Sequence, residues 1–315
     1  MMFKRIFFTL VCLPLFCFAG ALSDDANDNL SIAPPAPWVV PCDFELNSDD
    51  STQSEHVQYL LIDKQKNWAE KTVYKHIALK ALSQTGVDTI SKISIDFEPS
   101  FRKVVVHKIR VFRDGVESDR LASAEHHVLQ KEVGLDFGIY VGDLTAIYLL
   151  EDIRVGDIVE YSYSLIGQNP LFTSHYTDMI YLQYSMPVEK LSYRLLSDPS
   201  HSFAIKPEHT SLEATIRDLS PTLREWKWEI CHTTPRAREP DEPIWYSSSP
   251  RIEISEYKSW KEVGAQLSPL FVIPDDFDSS CPQEMLDLVD SWQASTTNPK
   301  DLALLALRFV QDEIR

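Results

Sequence analysis

Three cysteines outside the leading apolar segment, Cys42, Cys231 and Cys281, are the residues best suited to nucleophilic chemistry. Cys281 directly precedes Pro282 at a predicted helix start, where the helix dipole lowers the pKa of a thiol. Three aspartates lie just upstream and oppose thiolate formation, and no histidine follows Thr233 to act as a base in Cys-then-His order. The sequence therefore favours a boundary or disulfide-bonded role for Cys281 over catalysis.

Two adjacent residue pairs resemble a catalytic dyad and a metal clamp: Cys231-His232 and His126-His127. Neighbouring side chains of a strand point to opposite faces, so neither pair converges on one atom if these stretches are strands. The chain has no H-E-x-x-H, C-x-x-C or EF-hand motif, and its 9 glycines form no dinucleotide fingerprint or P-loop. We predict no catalytic, cofactor-binding or metal-ligating residue in this chain.

Tryptophans and carboxylates offer two weaker possibilities for ligand chemistry. Trp226, Trp228 and Trp245 would suit a sugar or peptide groove, although alternating positions on a strand favour burial in the core. The 47 Asp and Glu residues would have to place two carboxylates about 5–10 Å apart for glycoside hydrolysis, and their positions in the sequence identify no such pair.

Alternation of apolar and polar residues dominates positions 56–250 and predicts strands. In DIVEYSYSLIG, apolar or aromatic side chains alternate with Glu160, Ser162 and Ser164, which indicates a half-buried strand with its polar face toward solvent. LREWKWEIC repeats the pattern. Several such runs, separated by Pro, Gly, Asp and Ser clusters, predict a mainly β fold with an antiparallel β-sandwich-like domain.

Two stretches of the sequence give more specific predictions of secondary structure. VVVHKIRVFRDGVESD predicts a strand that enters a tight turn at Asp114-Gly115, because this dipeptide favours hairpin turns. KNWAEKTVYKHIALKAL, over 66–82, is compatible with an early helix, and a strand is the rival interpretation.

Beyond residue 250 the apolar residues follow helical spacing and predict three short helices. Ser259 and Glu262 form a capping box at the first, Pro282 lies at the start of the second, and Asn298 opens the third. The expected buried stripe of the last helix is Leu302, Leu305, Phe309 and Val310. Three such helices are too few to enclose a core of their own.

The N-terminus has the pattern of a secretory signal peptide over 1–21, with Lys4 and Arg5 followed by an apolar run from 6 to 18. We predict cleavage after Ala21, export to the periplasm or medium, and no stable membrane span afterwards, because the run is shorter than the roughly 20 residues that a bilayer requires. An uncleaved anchor is the alternative. A polar, proline-rich spacer is predicted over 22–52, followed by the β domain over 53–250 and the helices over 251–315.

Charge and cysteine number restrict the partners. The formal net charge of −17 disfavours nucleic acid and anionic lipid, and it is typical of an acidic exported protein. Of the cysteines left after signal cleavage, Cys42, Cys231 and Cys281, one must stay unpaired within the chain, and the sequence does not choose among the three possible bridges. The partner remains an unknown envelope protein, peptide or glycan.

The segments GDIVEYSYSLIGQNPLF and LQYSMPVEKLSYRLLSDP resemble the uncharacterised N-terminal β-rich domain found ahead of transglutaminase-like domains in bacterial exported proteins. The later EPIWYSSSPRIEISEYKSWKEVGAQLSPLF resembles the join to the second domain, and ALRFVQDEIR resembles the helix before its catalytic segment. The resemblance implies a cysteine nucleophile in a Gly-Asp-Cys context, then His and Asp, all of which would lie beyond Arg315. The chain then carries only the first helices of that domain.

Three functional hypotheses follow from these observations. The leading one is an exported, non-catalytic binding or accessory domain, truncated before the active site of a transglutaminase-like protein. The second is the N-terminal part of a cysteine acyl-transferase or protease whose Cys-His-Asp triad lies beyond Arg315. The third is a carbohydrate- or peptide-binding envelope module, motivated by the tryptophans.

Overall fold

A computed structural model describes residues 29–46, 55–131, 142–172, 174–236, 246, 248–272 and 281–313, and it confirms a mainly β chain followed by helices. The strands, in chain order, are β1 (Leu30–Ile32), β2 (Val57–Asn67), β3 (Thr72–Ala81), β4 (Lys92–Phe97), β5 (Lys103–Arg113), β6 (Val116–Asp119), β7 (Glu125–Gln130), β8 (Leu144–Leu149), β9 (Ile158–Ile166), β10 (Thr177–Tyr181), β11 (Lys190–Ser197), β12 (Ala204–Glu208), β13 (Thr215–Ser220), β14 (Leu223–Cys231) and β15 (Arg251–Ser255). The helices are α1 (Gln84–Ile90), α2 (Trp260–Leu267), α3 (Gln283–Ser295) and α4 (Pro299–Asp312). The predicted signal peptide lies outside the described residues.

Nine strands form the main sheet, in the order β1-β5-β9-β3-β2-β11-β14-β13, with β6 paired to β5. Most neighbours are antiparallel, but β1 runs parallel to β5 and β2 runs parallel to β11, so the sheet is mixed rather than purely antiparallel. Two smaller antiparallel sheets, β4-β8-β7 and β10-β15-β12, complete the β structure.

Both small sheets pack on the same face of the main sheet, which we call the inner face. One core joins Val106 and Tyr163 of the main sheet to Phe97 of β4, and a second joins Tyr193 of β11 to Ile254 of β15. Residues paired across strands share a face, and the row Tyr193, Lys64, Lys75, Tyr163 and Val106 is paired in that way from β11 to β5. The layered arrangement is that of a sandwich whose second layer is split in two.

On the opposite, outer face of the main sheet β9 is also buried, which corrects the prediction of a half-buried strand. Glu160, Ser162 and Ser164 lie on that face as predicted, yet they are buried. They have polar partners there: the Glu160 Oε1 lies 2.7 Å from His76 Nε2, and the Ser164 Oγ lies 2.8 Å from His107 Nε2. Buried polar groups require hydrogen-bond partners of this kind. The alternation in the sequence therefore distinguishes the two faces of the strand, but it does not show which face is exposed to solvent.

Residues 29–46, which belong to the stretch predicted as a spacer over 22–52, lie along part of this outer face. Gln65 and Val40 are joined by two hydrogen bonds, in which the Gln65 Oε1 accepts from the Val40 N–H at 3.0 Å and the Gln65 Nε2 donates to the Val40 carbonyl at 2.6 Å. Arg194 donates to the Trp38 carbonyl at 2.7 Å. The prolines keep the segment extended, and buried side chains of the sheet satisfy its backbone groups.

Local turn and capping predictions are confirmed. Asp114 and Gly115 both have positive φ, 51° and 78°, as the tight turn between β5 and β6 requires. At α2 the Ser259 hydroxyl accepts from the Glu262 N–H, while the Glu262 carboxylate accepts from the Lys258 N–H. The early helix proposed for 66–82 is wrong, because most of that stretch belongs to β2 and β3.

The C-terminal helices bury no residue completely. The predicted stripe of α4 is therefore only partly covered: Val310 is exposed, and Phe309 meets Trp292 of α3 with ring centroids 5.7 Å apart. Among the described residues, no helix is long and apolar enough to cross a membrane.

Candidate functional site

Three lysines of neighbouring strands gather on the inner face between the two cores. Lys64 and Lys66 of β2 and Lys75 of β3 belong to the face that carries the small sheets, and Lys64 pairs directly with Lys75 across the strands. The alternation of DKQK in β2 sends Asp63 and Gln65 to the opposite face. The two strands thus place three ammonium groups where a core would ordinarily be apolar.

Asp178 of β10 is the carboxylate closest to these lysines. Its Oδ2 lies 2.6 Å from the Lys66 Nζ and 3.4 Å from the Lys64 Nζ, and it accepts hydrogen bonds from the hydroxyls of Tyr176 and Tyr193. The two tyrosine hydroxyls are 2.8 Å apart. Burial opposes ionisation of Asp178, but the two lysines overcome it and hold the pKa of this carboxyl well below its usual range.

Burial changes the acidity of the whole cluster. It lowers the pKa of Lys64 and Lys75, and burial together with the neighbouring Lys64 lowers the pKa of Lys66 to about 8. The pKa of Tyr193 is raised well above its ordinary value, mainly because the phenol is buried. With a pKa of about 8, Lys66 remains mostly an ammonium group at neutral pH, and the hydroxyls of Tyr176 and Tyr193, whose pKa values are both raised, remain protonated.

Positive charge exceeds negative charge at this site. Lys64 and Lys66 share the single carboxylate of Asp178. In the described part of the chain Lys75 has no carboxylate within ion-pair distance, and its Nζ lies 5.6 Å from the centroid of the Tyr163 ring. Arg102 also lacks an ion-pair partner there, and its buried Nε has no hydrogen-bond acceptor. A surplus of cations in a protein of net charge −17 indicates attraction of an anionic group.

A cavity of about 370 Å³ opens beside the lysines, and together with them we call it the lysine groove. Lys64, Lys75 and apolar residues of β2, β3 and β11 form its floor, and β10 with the following loop forms one wall. The wall and floor residues are Tyr59, Ile62, Ile77, Met179, Ile180, Tyr181, Tyr184, Met186 and Leu191. Cavities of a few hundred Å³ with an apolar lining and a few convergent polar groups are typical of ligand sites.

A second, smaller cavity of about 200 Å³ includes Lys66 on its lining and extends the cationic region toward Arg102 and Lys71. Lys71 lies over the Trp68 ring, with its Nζ 3.1 Å from the ring centroid. Gly167 also lines this cavity, where a Cβ would come within 2.0 Å of the Phe101 carbonyl oxygen. Only glycine fits there, because the backbone of Gly167 packs directly against that of Phe101.

The residue pairs singled out from the sequence contact other partners in the structure. Cys231 is exposed, and His232 places its Nδ1 2.8 Å from Glu189 Oε2. His126 stacks on Tyr148, with ring centroids 5.3 Å apart, and His127 pairs with Glu125. Among the described residues, no group of three or more His, Cys, Asp or Glu side chains is arranged to hold a metal.

The three cysteines Cys42, Cys231 and Cys281 are all free thiols in this structure, so none of the three possible bridges is present. Burial, and then the negative charge of Asp63, raises the pKa of the Cys42 thiol. Such a thiol is a poor nucleophile at neutral pH, because the thiolate is the reactive form.

The tryptophans of β14 lie in the second core, as the alternation predicted. Trp228 is buried against Tyr193, with ring centroids 5.7 Å apart, and Trp226 packs edge-on against Phe203. Trp245 lies outside the described residues. The sugar or peptide groove suggested by these side chains is therefore not formed by Trp226 and Trp228.

The lysine groove itself was missed from the sequence. The available signal was the run of lysines at alternate positions of β2, followed by Lys75 on the next strand, which reads equally well as a solvated strand face. Asp178, more than a hundred residues later, gives no indication in the sequence that it meets them.

Comparison with known proteins identifies the family to which this chain is similar. A family model described as a domain of unknown function with a solved structure, DUF3857, matches residues 69–237 of the 315. None of the curated proteins compared with the chain matches it.

Solved structures that match the chain include the following two. A putative protease from Parabacteroides distasonis has a TM-score of 0.66 at 15% identity, with 82% of this chain and 50% of that chain covered. A putative nutrient binding protein from Legionella pneumophila has a TM-score of 0.29 at 10% identity, with coverage of 84% and 87%. The first likeness is one of fold, and this chain spans half the length of that protein.

Proposed function

The chain belongs to the DUF3857 family, and from that premise we propose that it is an exported binding domain that performs no catalysis itself and holds its ligand in the lysine groove. The observation that carries this proposal is the surplus of half-buried cations around Asp178, beside a cavity of about 370 Å³. Surplus charge that is partly removed from solvent costs stability, so its retention is more readily explained by a ligand than by folding.

Binding is favoured over catalysis because the groove has no activated nucleophile. Lys66 has the lowered pKa that amine nucleophiles need, but at neutral pH it is still protonated and its Nζ is held 2.6 Å from Asp178. Cys231 and its neighbour His232 do not pair, since His232 contacts Glu189 instead. The chemistry available at the groove is charge recognition with hydrogen bonding.

In the whole protein, we propose that this domain precedes a transglutaminase-like cysteine enzyme and positions or shields that enzyme's substrate. The resemblance of the join and of the last helix motivates this role, and the likeness in fold to half of a putative protease supports it. The second candidate is that the chain is the first part of such an acyl-transferase or protease, with the Cys-His-Asp triad encoded beyond Arg315.

The intact mass of the natively produced protein, taken from the cell envelope fraction, tests export and extent together. A mass that matches residues 22–315 supports an exported domain that acts without a triad. A substantially larger mass supports the enzyme parent, and a mass that includes residues 1–21 contradicts cleavage after Ala21.

Binding at the groove is tested by selecting random dodecapeptides displayed on phage against the purified chain. We expect the enriched peptides to bind the wild type and to lose at least tenfold in affinity for Met179→Trp, which places a bulky uncharged ring in the groove wall. Val116→Trp, at the exposed β5–β6 turn, is the matched control and should change nothing. Equal losses in both variants, or no enrichment at all, would overturn the groove as the binding site.

The absence of catalysis is tested on the same material with casein and a glutamine-containing peptide plus an amine donor. We expect no cleavage and no transamidation. Turnover that disappears when Cys42, Cys231 and Cys281 are all replaced by alanine would overturn the non-catalytic assignment.

A further inference from the structure

The chemical class of the ligand follows from the charges, the open strand edge and the lining of the groove. We propose that the lysine groove binds an acidic peptide segment in extended conformation, lying along β10 with its carboxylates directed at Lys75, Lys66 and Arg102. This inference rests on the proposed binding function and specifies its ligand.

The cations outnumber the carboxylates here, which favours an anionic ligand: besides Asp178, the negative charge that acts on Lys75 is that of Asp96, which lies outside ion-pair distance. Lys64 and Lys66 converge on one carboxylate, Asp178, while Lys75 and Arg102 have no ion-pair partner among the described residues. A carboxylate between Lys75 and Lys66 would provide the partner that the protein leaves out, and charge-assisted hydrogen bonds of that kind are among the strongest available. Partial burial protects them from screening by salt.

The open edge of β10 favours a peptide. β10 pairs with β15 from Thr177 to Tyr181, and in the described part of the chain no strand pairs with its other side. Residues of this strand form the groove wall. An unpaired edge offers backbone N–H and C=O groups that an extended peptide can satisfy by adding a strand.

The lining is compatible with a peptide. Met179 and Met186 are flexible and adapt to side chains of varied shape, and Ile62 and Ile77 provide aliphatic contacts. The exposed rings of Tyr181 and Tyr184 would also suit a sugar, so the unpaired edge of β10 is the feature that favours a peptide over an acidic glycan. The net charge of −17 disfavours a long polyanion more than a short segment with a few carboxylates.

The test compares two acetylated, amidated octapeptides, (Val-Glu)₄ and (Val-Gln)₄, by calorimetric titration against the full chain. We expect the Glu peptide to bind at least tenfold more tightly. Lys75→Gln should remove most of this preference, Lys75→Arg should restore it, and Lys131→Gln, an exposed lysine outside the groove, should leave it unchanged. Thermal unfolding of each variant shows whether it has folded.

Backbone pairing is tested with a (Val-Glu)₄ peptide whose alternate amides are N-methylated, which removes donors without changing charge. We expect a loss of at least tenfold, and equal binding would overturn the extended-strand geometry.

The remaining outcomes separate the ligand class from the binding function. Equal binding of the Glu and Gln peptides would overturn an acidic ligand and leave groove binding intact. Lysine-dependent binding of an oligogalacturonate, with no peptide binding, would replace the peptide by an acidic glycan. If no probe binds and the phage selection also fails, both the inference and the proposed function fall.

Discussion

Glu160 is a buried carboxylate on the outer face of the sheet with two side-chain partners. Its Oε1 lies 2.7 Å from His76 Nε2 and 2.8 Å from Lys108 Nζ, while its Oε2 is buried without a partner among the described residues. Burial alone would raise the pKa of Glu160, but the hydrogen bonds from His76 and Lys108 lower it on balance.

We expect Glu160→Gln to lower the free energy of unfolding at pH 7 by about 2–4 kcal/mol, because it leaves buried donors without their charged acceptor. A carboxyl with a lowered folded pKa stabilises the protein above its unfolded pKa, and the contribution is lost as the pH falls through the folded pKa. The gap between wild type and variant should therefore be full at pH 7 and shrink below about pH 4.5.

Urea unfolding at several pH values measures this gap. The matched control is Glu117→Gln, which removes an exposed ion pair with Arg110 and should cost less than about 1 kcal/mol. A gap for Glu160→Gln that does not depend on pH would show that its carboxylate charge contributes nothing.

The charge on Lys66 destabilises the folded protein, whereas the charge on Glu160 stabilises it. Its folded pKa is about 8, below the ordinary value of 10.5, because burial and the neighbouring Lys64 disfavour the charged form. Below pH 8 the folded and unfolded states are both protonated, and the folded state bears the cost of the buried charge. Between pH 8 and 10.5 the unfolded state binds more protons, so stability rises with pH.

We expect the free energy of unfolding of the wild type, measured relative to Lys66→Met, to rise between pH 8 and 10 by at most about 1.4 kcal/mol per pH unit. Calorimetric unfolding across this range provides the measurement. Lys131→Met, at an exposed lysine, should follow the wild type, and a flat difference for Lys66→Met would contradict the lowered pKa.

At the scale of single elements, two helical glycines have opposite roles. Gly86 lies in α1, where an added Cβ would meet the His56 carbonyl oxygen at 1.9 Å, so the helix can approach the chain only without a side chain there. Gly264 lies in α2, and a Cβ would contact nothing within 4 Å. Replacing each glycine by alanine therefore distinguishes the cost of a steric clash, at Gly86, from the gain in helix propensity, at Gly264.

We expect Gly86→Ala to destabilise the protein by about 2–4 kcal/mol through overpacking against rigid backbone. Gly264→Ala should leave stability unchanged or raise it by up to about 1 kcal/mol, because alanine favours the helix. Thermal unfolding of both variants checks the pair, and similar effects at both positions would mean that the α1 contact is not tight.

Secondary-structure elements could be predicted from the sequence where residues close together in the chain determine them. The Asp114-Gly115 turn, the Ser259 cap and the alternation of β14 depend on neighbours along the chain, and all three are confirmed. Residues 29–46 were not predictable, because their partners Gln65 and Arg194 lie on distant strands. Proline-rich composition indicates an extended backbone without indicating what that backbone lies against.

The candidate site was hidden for a related reason. Lys64, Lys66 and Lys75 alternate like a solvated face, and only the packing of β10 over them turns that face into a groove. Alternation gives the two faces of a strand, whereas burial of each face depends on the whole topology. The mainly β class followed correctly from the periodicity, but the parallel pairs and the split second layer did not.

For the whole molecule, the groove and the surface carry opposite charge. The net charge of −17 repels an acidic peptide at long range, while the lysines attract it once it is within the groove. The screening length falls from about 30 Å at 0.01 M salt to about 10 Å at 0.1 M, so added salt weakens the distant repulsion far more than the partly buried attraction.

We therefore expect the association rate of the (Val-Glu)₄ peptide to rise roughly two- to fivefold between 0.01 and 0.1 M salt, the reverse of ordinary steering between opposite charges. Stopped-flow fluorescence of a labelled peptide measures this rate, and the uncharged (Val-Gln)₄ peptide, if it binds measurably, should show no change. An association rate that falls with salt would mean that the lysines control the approach from outside the groove. In that case the cations would act as a surface patch, and their recognition of a carboxylate would not depend on the partial burial that β10 provides.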